Sequence, residues 1–190
     1  AARMTRRSTR SLCDEDGAIS VEAVIILPVL VLFYIVSFTF YDAYRKQTVI
    51  TKAGYTVADL ISRQSGTVTA ADVDGMRDVF AYITRANADA YLRVTKLTRY
   101  VDTDLGIDEY RITESYGTGG TPQMSAAELD ADLSRVPNLA PNEFVTVLET
   151  YYPYTPPFFV GLDAYTMTGF VVTRQRTGLP IDLDVPDLTG

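Results

Sequence analysis

A carboxylate at the start of a long apolar run has the clearest chemical consequence of any side chain in this sequence. Glu22 comes directly before Ala23–Tyr41, a run of 19 residues that carries no formal charge. A charged group among lipid tails costs about 3 kcal/mol on insertion scales, so it needs a partner of opposite charge. Cleavage of the peptide bond between Gly17 and Ala18 would create that partner, because the new α-amine would lie four residues before Glu22 on the same face of a helix.

The apolar run predicts one transmembrane helix, because its length is close to the roughly 20 residues that span a bilayer. Four arginines precede it: Arg3, Arg6, Arg7 and Arg10. The positive-inside rule therefore keeps the N-terminus in the cytoplasm and sends the chain beyond Asp42 outward. A secretory signal peptide fits less well, since its apolar region spans about 7–15 residues and ends at a small-residue cleavage site. Pro28 removes one helical hydrogen bond and predicts a bend that a membrane helix tolerates.

Composition excludes several classes of site. The 190 residues include 17 basic and 24 acidic side chains, and the stretch from Gly17 onward has a net charge of −8. A nucleic-acid partner is not expected, because it requires a basic surface. The chain contains no histidine and a single cysteine, Cys13, which excludes histidine-based triads and zinc sites built on histidine or cysteine. We expect no cofactor, no metal and no catalytic residue.

The residues around Gly17 resemble the prepilin-peptidase site of type IV pilins. A short basic leader is followed by Gly17, by Ala18 and, in the fifth position counted from Ala18, by Glu22. The stretch from Asp14 to Pro28 reads DEDGAISVEAVIILP. It is similar to the start of the TadE-like minor pilins of tight-adherence (Tad/Flp) pili, which have an acidic residue before Gly-Ala, then Val-Glu, then Leu-Pro. A looser similarity covers the strands in the last fifty residues.

This resemblance implies a structural role in the assembly of an adhesion pilus. Gly17 would be the last leader residue, Ala18 the mature N-terminus, and Glu22 the glutamate that pairs helices during assembly. The implied partners are a prepilin peptidase, other pilus subunits, the inner-membrane assembly platform and the lipid bilayer. The implied location is the bacterial inner membrane, with a cytoplasmic N-terminus and a periplasmic C-terminal domain, or the extracellular pilus itself.

Two other functions remain open at this stage. One is an unprocessed, single-pass, membrane-anchored periplasmic binding module, in which Glu22 lies at the interface near the cytoplasmic side. The other is an anchored hydrolase, but the sequence has no G-x-S-x-G motif and no nucleotide-binding loop. Only the short motif at Gly17 favours the pilin over the binding module.

The pattern of residues predicts an α+β fold in four parts. Residues 1–17 form the basic leader, 18–63 a helix that leaves the membrane and continues beyond it, 64–176 a small domain, and 177–190 an irregular tail. The domain is expected to contain an antiparallel sheet of about four strands and two short helices. The helical stripe beyond the membrane consists of Ala43, Ile50, Ala53, Val57, Leu60 and Ile61.

Local motifs place the elements of the domain. Thr69-x-x-Asp72 and Ser125-x-x-Glu128 are capping boxes that predict helices over about 70–86 and after Ser125. Two β-prone stretches on either side of about 103–108 predict a hairpin. Residues 144–152 predict a central strand that ends at Pro153, Pro156 and Pro157, and residues 165–174 predict the last strand.

Two clusters have more than one interpretation. The hairpin turn carries four carboxylates, Asp102, Asp104, Asp108 and Glu109. They suggest calcium, but the spacing departs from that of an EF-hand and favours a solvated turn. The second cluster is aromatic and consists of Tyr151, Tyr152, Tyr154, Phe158 and Phe159. It could form a subunit contact or a packed sheet edge.

Overall fold

A single long helix, α1, forms one side of the molecule. The computed structural model describes residues 13–86, 90–176, 178 and 180–185, and α1 covers Cys13–Arg63 without a break at Pro28. It ends at Arg63, where the sequence pattern predicts its end, and its described part reaches back to Cys13, five residues before Ala18. The leader arginines lie outside the described residues.

The second half of α1 packs its predicted stripe into the core. Ala43, Ile50, Ala53, Val57 and Ile61 are all buried. Leu60 is the exception, with 37% of its surface exposed, because the buried face instead continues through Ala58. The stripe therefore has the helical period that the sequence predicts, with one position displaced around the helix.

The remaining elements form the domain predicted for residues 64–176, together with part of the tail. In chain order they are β1 (Thr67–Thr69), α2 (Ala70–Thr84), β2 (Tyr91–Asp102), β3 (Ile107–Gly117), α3 (Ala126–Asp132), β4 (Phe144–Tyr154), β5 (Tyr165–Thr173) and β6 (Asp182–Asp184). Two 3₁₀ turns, Thr118–Gly120 and Leu133–Arg135, follow β3 and α3.

Both predicted capping boxes are present. The backbone N–H of Asp72 donates to Thr69 Oγ1, and the backbone N–H of Thr69 donates to the Asp72 carboxylate at 2.9 Å. Ser125 and Glu128 make the same reciprocal pair at the start of α3. Each box satisfies backbone donors that a helix start leaves free, which is why both helices begin where the motifs predict.

The four long strands form one antiparallel sheet in the order β3–β2–β4–β5. One face packs on α1 and α2, and the buried residues there include Leu92, Val94 and Leu148. The other face packs on α3 and the segment after it, and there the buried residues include Leu97 and Val147. The sheet thus separates two cores, and β4 is apolar on both faces as predicted. The α+β fold with a four-stranded antiparallel sheet is confirmed.

The central strand ends before Pro156 and Pro157, but two residues later than predicted, because Pro153 does not stop it. β4 runs through Pro153, which pairs with Thr166 of β5, and ends at Tyr154. On its other side, β4 loses its partner after Tyr151, because β2 begins at Tyr91 opposite that residue. A strand tolerates proline where one of its edges is unpaired.

The tail is not irregular throughout. Asp182–Asp184 forms β6, which pairs in parallel with β1. β1 is the short strand that follows α1 and precedes α2 in the chain. The burial of Ile181 and Leu183 in the core holds β6 in place, and the Leu183 N–H donates to Glu114 Oε2 at 2.7 Å. Residues 177, 179 and 186–190 of the predicted tail lie outside the described part of the chain.

Gly117 is needed for close packing at the end of β3, and we expect Gly117→Ala to destabilise the domain. A Cβ there would come within 2.3 Å of the Thr121 carbonyl oxygen. That turn carries the buried Thr118, whose Oγ1 accepts from the Leu92 N–H at 2.9 Å. Overpacking of this kind costs about 1–3 kcal/mol, measurable by chemical denaturation.

Gly75→Ala is the matched control for this prediction. Gly75 is an exposed residue of α2, and a Cβ there meets nothing within 4 Å. The substitution should stabilise the domain by about 0.5–1 kcal/mol, because alanine loses less conformational entropy in a helix. Equal midpoints for the two variants would contradict the packing role of Gly117.

Candidate functional site

The predicted cleavage and assembly residues all lie on the first half of α1. The backbone of Gly17 and Ala18 is helical, and Glu22 follows one turn later, about 6 Å along the axis from Ala18. Glu22 is exposed and borders a shallow apolar groove with Ala23, Ile26 and Leu30. Among the described residues, no cation forms an ion pair with its carboxylate.

The helix around this site has the properties of a membrane segment. An 18-residue window within Val21–Arg63 has a mean hydropathy of 2.6, and only 6% of that window is buried. Its exposed side chains include Ile25, Leu27, Phe33 and Tyr34. The helix is long and apolar enough to span a membrane, which is consistent with single-pass anchoring.

Asp42 marks the point where polar contacts between α1 and the domain begin. Tyr154 Oη donates to Asp42 Oδ2 at 3.0 Å, and Lys46 Nζ donates to Tyr152 Oη at 3.4 Å. Burial, together with the neighbouring Asp42 carboxylate, raises the pKa of Tyr154 to about 12. These contacts tie one end of β4 to the helix immediately after the apolar run.

The aromatic cluster divides into two parts. Tyr152 and Tyr154 are buried, and Tyr151 stacks on Tyr91 with ring centroids 4.6 Å apart, so the tyrosines pack the sheet end. Phe158 and Phe159 extend beyond it and are 45% and 88% exposed. The structure contains one copy of the chain, so the subunit contact stays a prediction.

The acidic hairpin turn uses most of its carboxylates internally. Asp102 Oδ1 accepts from the backbone N–H groups of Asp104 and Leu105 at 3.0 and 3.1 Å. Asp108 forms a two-pronged pair with Arg99 at 2.7 and 2.8 Å, and this hydrogen bonding lowers the pKa of Asp108. Among the side chains that the structure describes, no group of three or more acidic or cysteine residues is arranged to hold a metal ion.

A buried ion pair between β2 and β4 was not predicted from the sequence. Arg93 Nε and Nη2 donate to the two oxygens of Glu149 at 2.5 and 2.9 Å, and the two residues are only 3% and 6% exposed. Arg93 Nη1 also reaches Glu128 of α3 at 3.2 Å. Burial alone would lower the pKa of Arg93, but hydrogen bonds and charge from Glu149 together raise it.

A local pattern could have indicated that pair. Arg93 and Glu149 are charged residues within largely apolar strand segments, YLRVTKL and VTVLETYY. Charged residues in central strands are almost never buried unless they are paired. Tyr151 Oη completes the group by donating to Glu149 Oε1 at 2.9 Å.

Comparisons of the chain with protein-family models, with curated proteins and with solved structures find no match.

Proposed function

We propose that this chain is a minor pilin-like subunit that supports assembly of a Tad/Flp-type adhesion pilus. α1 anchors it in the bacterial inner membrane with the domain on the periplasmic side. A prepilin peptidase cuts it between Gly17 and Ala18. The chain itself is a substrate and a structural subunit in this proposal, and its partners are other pilus subunits and the assembly platform.

The observation that carries the proposal is the motif at Gly17 on a helix, α1, that is divided into two halves of different character. The first half exposes an apolar surface with one carboxylate, Glu22, one turn after Ala18. The second half packs into the domain core through Ile50, Ala53 and Val57. A subunit that exchanges lipid for neighbouring helices needs an apolar rod of this kind, and in that dry environment the carboxylate needs a positive partner.

Cleavage at Gly17 is tested by the mass of the protein purified from membranes. In cells that contain a prepilin peptidase, we expect a species that begins at Ala18. In cells without the peptidase, the basic leader should remain attached. The change is measured by intact-protein mass spectrometry, and Gly17→Leu should block it, because the resemblance places glycine directly before the cut.

An intact N-terminus in both strains would contradict the proposal. The chain would then be the unprocessed, membrane-anchored binding module. This outcome would leave the anchoring role of α1 unchanged, since that role depends only on the apolar run.

A further inference from the structure

We infer that residues 155–164, the loop between β4 and β5, insert into the same membrane that α1 spans, with Phe158 and Phe159 among the lipids of the leaflet on the domain side. The loop would be a second membrane contact besides the helix. This inference rests on the membrane-anchoring part of the proposed function and not on cleavage or pilus assembly.

The loop lies beside the last residues of the apolar run of α1. Tyr154, the last residue of β4, is hydrogen-bonded to Asp42, and the loop continues from there toward the N-terminal end of the helix. The Phe158 ring meets Phe38 edge to face, with ring centroids 6.1 Å apart. Phe38 lies four residues before Asp42, about 6 Å farther into the apolar run.

Burial along α1 agrees with this level. Thr39 has no exposed surface, and Ile35 and Val36 are half-buried, although all three belong to the uncharged run Ala23–Tyr41. The domain therefore covers α1 as far as about seven residues before Asp42, or about 10 Å.

With Glu22 at the headgroups of the opposite leaflet, the run leaves too little apolar helix for a membrane that ends before the loop. If lipid reached only to Tyr34, 12 uncharged residues from Ala23 would remain, and they span about 18 Å. The hydrocarbon core is about 30 Å thick, and the complete run Ala23–Tyr41 is just long enough to cross it. A helix placed in this way carries the loop into the bilayer.

The chemistry of the loop fits lipid. The stretch TPPFFVGL after Tyr154 contains no charged residue before Asp163. Phe159 is 88% exposed, so nothing in the described part of the chain covers it. Tyr41, Tyr44 and Tyr165 are also exposed near this level, and aromatic side chains are enriched where a membrane protein meets the headgroups.

A single-tryptophan experiment tests the inference, because the native chain contains no tryptophan. The full-length protein carrying Phe159→Trp is reconstituted in phosphatidylcholine vesicles whose acyl chains are brominated at shallow or at deep positions. We expect shallow bromines to reduce its emission at least about twofold, more than deep bromines do, because the ring lies near the headgroups.

Two matched variants complete the experiment. Leu105→Trp replaces a 72% exposed residue at the tip of the β2–β3 hairpin, about 36 Å from the Tyr91 end of the sheet, and should not be quenched. Phe33→Trp lies about 14 Å before Asp42 along α1, near the bilayer centre, and should be quenched most by deep bromines.

Each other outcome overturns the inference in a distinguishable way. Quenching of Phe33→Trp without quenching of Phe159→Trp would show an anchored helix whose loop stays outside lipid. A blue-shifted but unquenched Phe159→Trp would show that a second copy of the chain covers the loop. If neither Phe33→Trp nor Phe159→Trp is quenched, α1 does not span the bilayer. That result would also contradict the membrane anchoring in the proposed function. Cleavage at Gly17 does not enter any of these results.

Discussion

Glu22→Ala should reduce fibre formation at least about tenfold while the domain folds normally, since tenfold corresponds to the loss of about 1.4 kcal/mol of pairing free energy. The carboxylate is exposed on an apolar helix surface, and in an assembled fibre it would be surrounded by other helices. Without it, the α-amine of Ala18 would remain buried and unpaired, which is strongly unfavourable in a dry environment. The measurement is the yield of sheared pili, together with the thermal midpoint of the purified subunit.

Val21→Ala is the matched control, because it truncates an exposed neighbour on the same turn of α1 without removing a charge. We expect it to assemble normally. Glu22→Asp should recover part of the yield, since it keeps the charge on a shorter side chain. Pilus formation by Glu22→Ala at the native level would show that the carboxylate has no role in assembly.

Glu149→Gln should lower the free energy of unfolding by about 3–5 kcal/mol, because breaking one partner of a buried ion pair leaves the other charge uncompensated. Arg93 would retain Glu128, but that carboxylate is 47% exposed and lies at the rim of the site. A small domain has a total stability of about 5–15 kcal/mol, so the loss would be a large part of it. Chemical denaturation of the detergent-solubilised chain measures the effect.

Glu109→Gln provides the comparison for an exposed pair. Glu109 pairs with Arg111, and the two side chains are 51% and 46% exposed. This variant should change stability by less than about 1 kcal/mol. The double variant Arg93→Met/Glu149→Met should be more stable than Glu149→Gln, because no buried charge then lacks its partner. Equal decreases in the free energy of unfolding for Glu149→Gln and Glu109→Gln would mean that the buried pair contributes no more to stability than the exposed pair.

Features of the fold that depend on neighbouring residues could be predicted from the sequence. The capping boxes at Thr69 and Ser125 specify helix starts because both partners lie within one turn. The end of α1 at Arg63 and the two-sided burial of β4 follow from hydrophobic periodicity. The position of Glu22 could also be predicted, since it depends only on counting along one helix.

Features that depend on distant residues could not be predicted. β6 has three residues, too few for a periodic pattern, and forms because Ile181 and Leu183 fill the core beside β1. Arg93 and Glu149 are 56 residues apart in sequence, so their pairing requires the register of β2 and β4. The level of Phe158 beside Phe38 likewise requires the direction of β4 relative to α1.

The continuity of α1 couples the orientation of the domain to the tilt of the helix in the membrane. Because the same helix continues without a break from the apolar run into the domain, an inclination of the segment between Pro28 and Asp42 would be transmitted to the far end. Transmembrane helices incline by about 20° on average. Over the residues from Asp42 to Arg63, about 32 Å, that angle displaces the distal end sideways by about 11 Å. The tilt of α1 thus determines the direction in which the domain presents its surface to a neighbour.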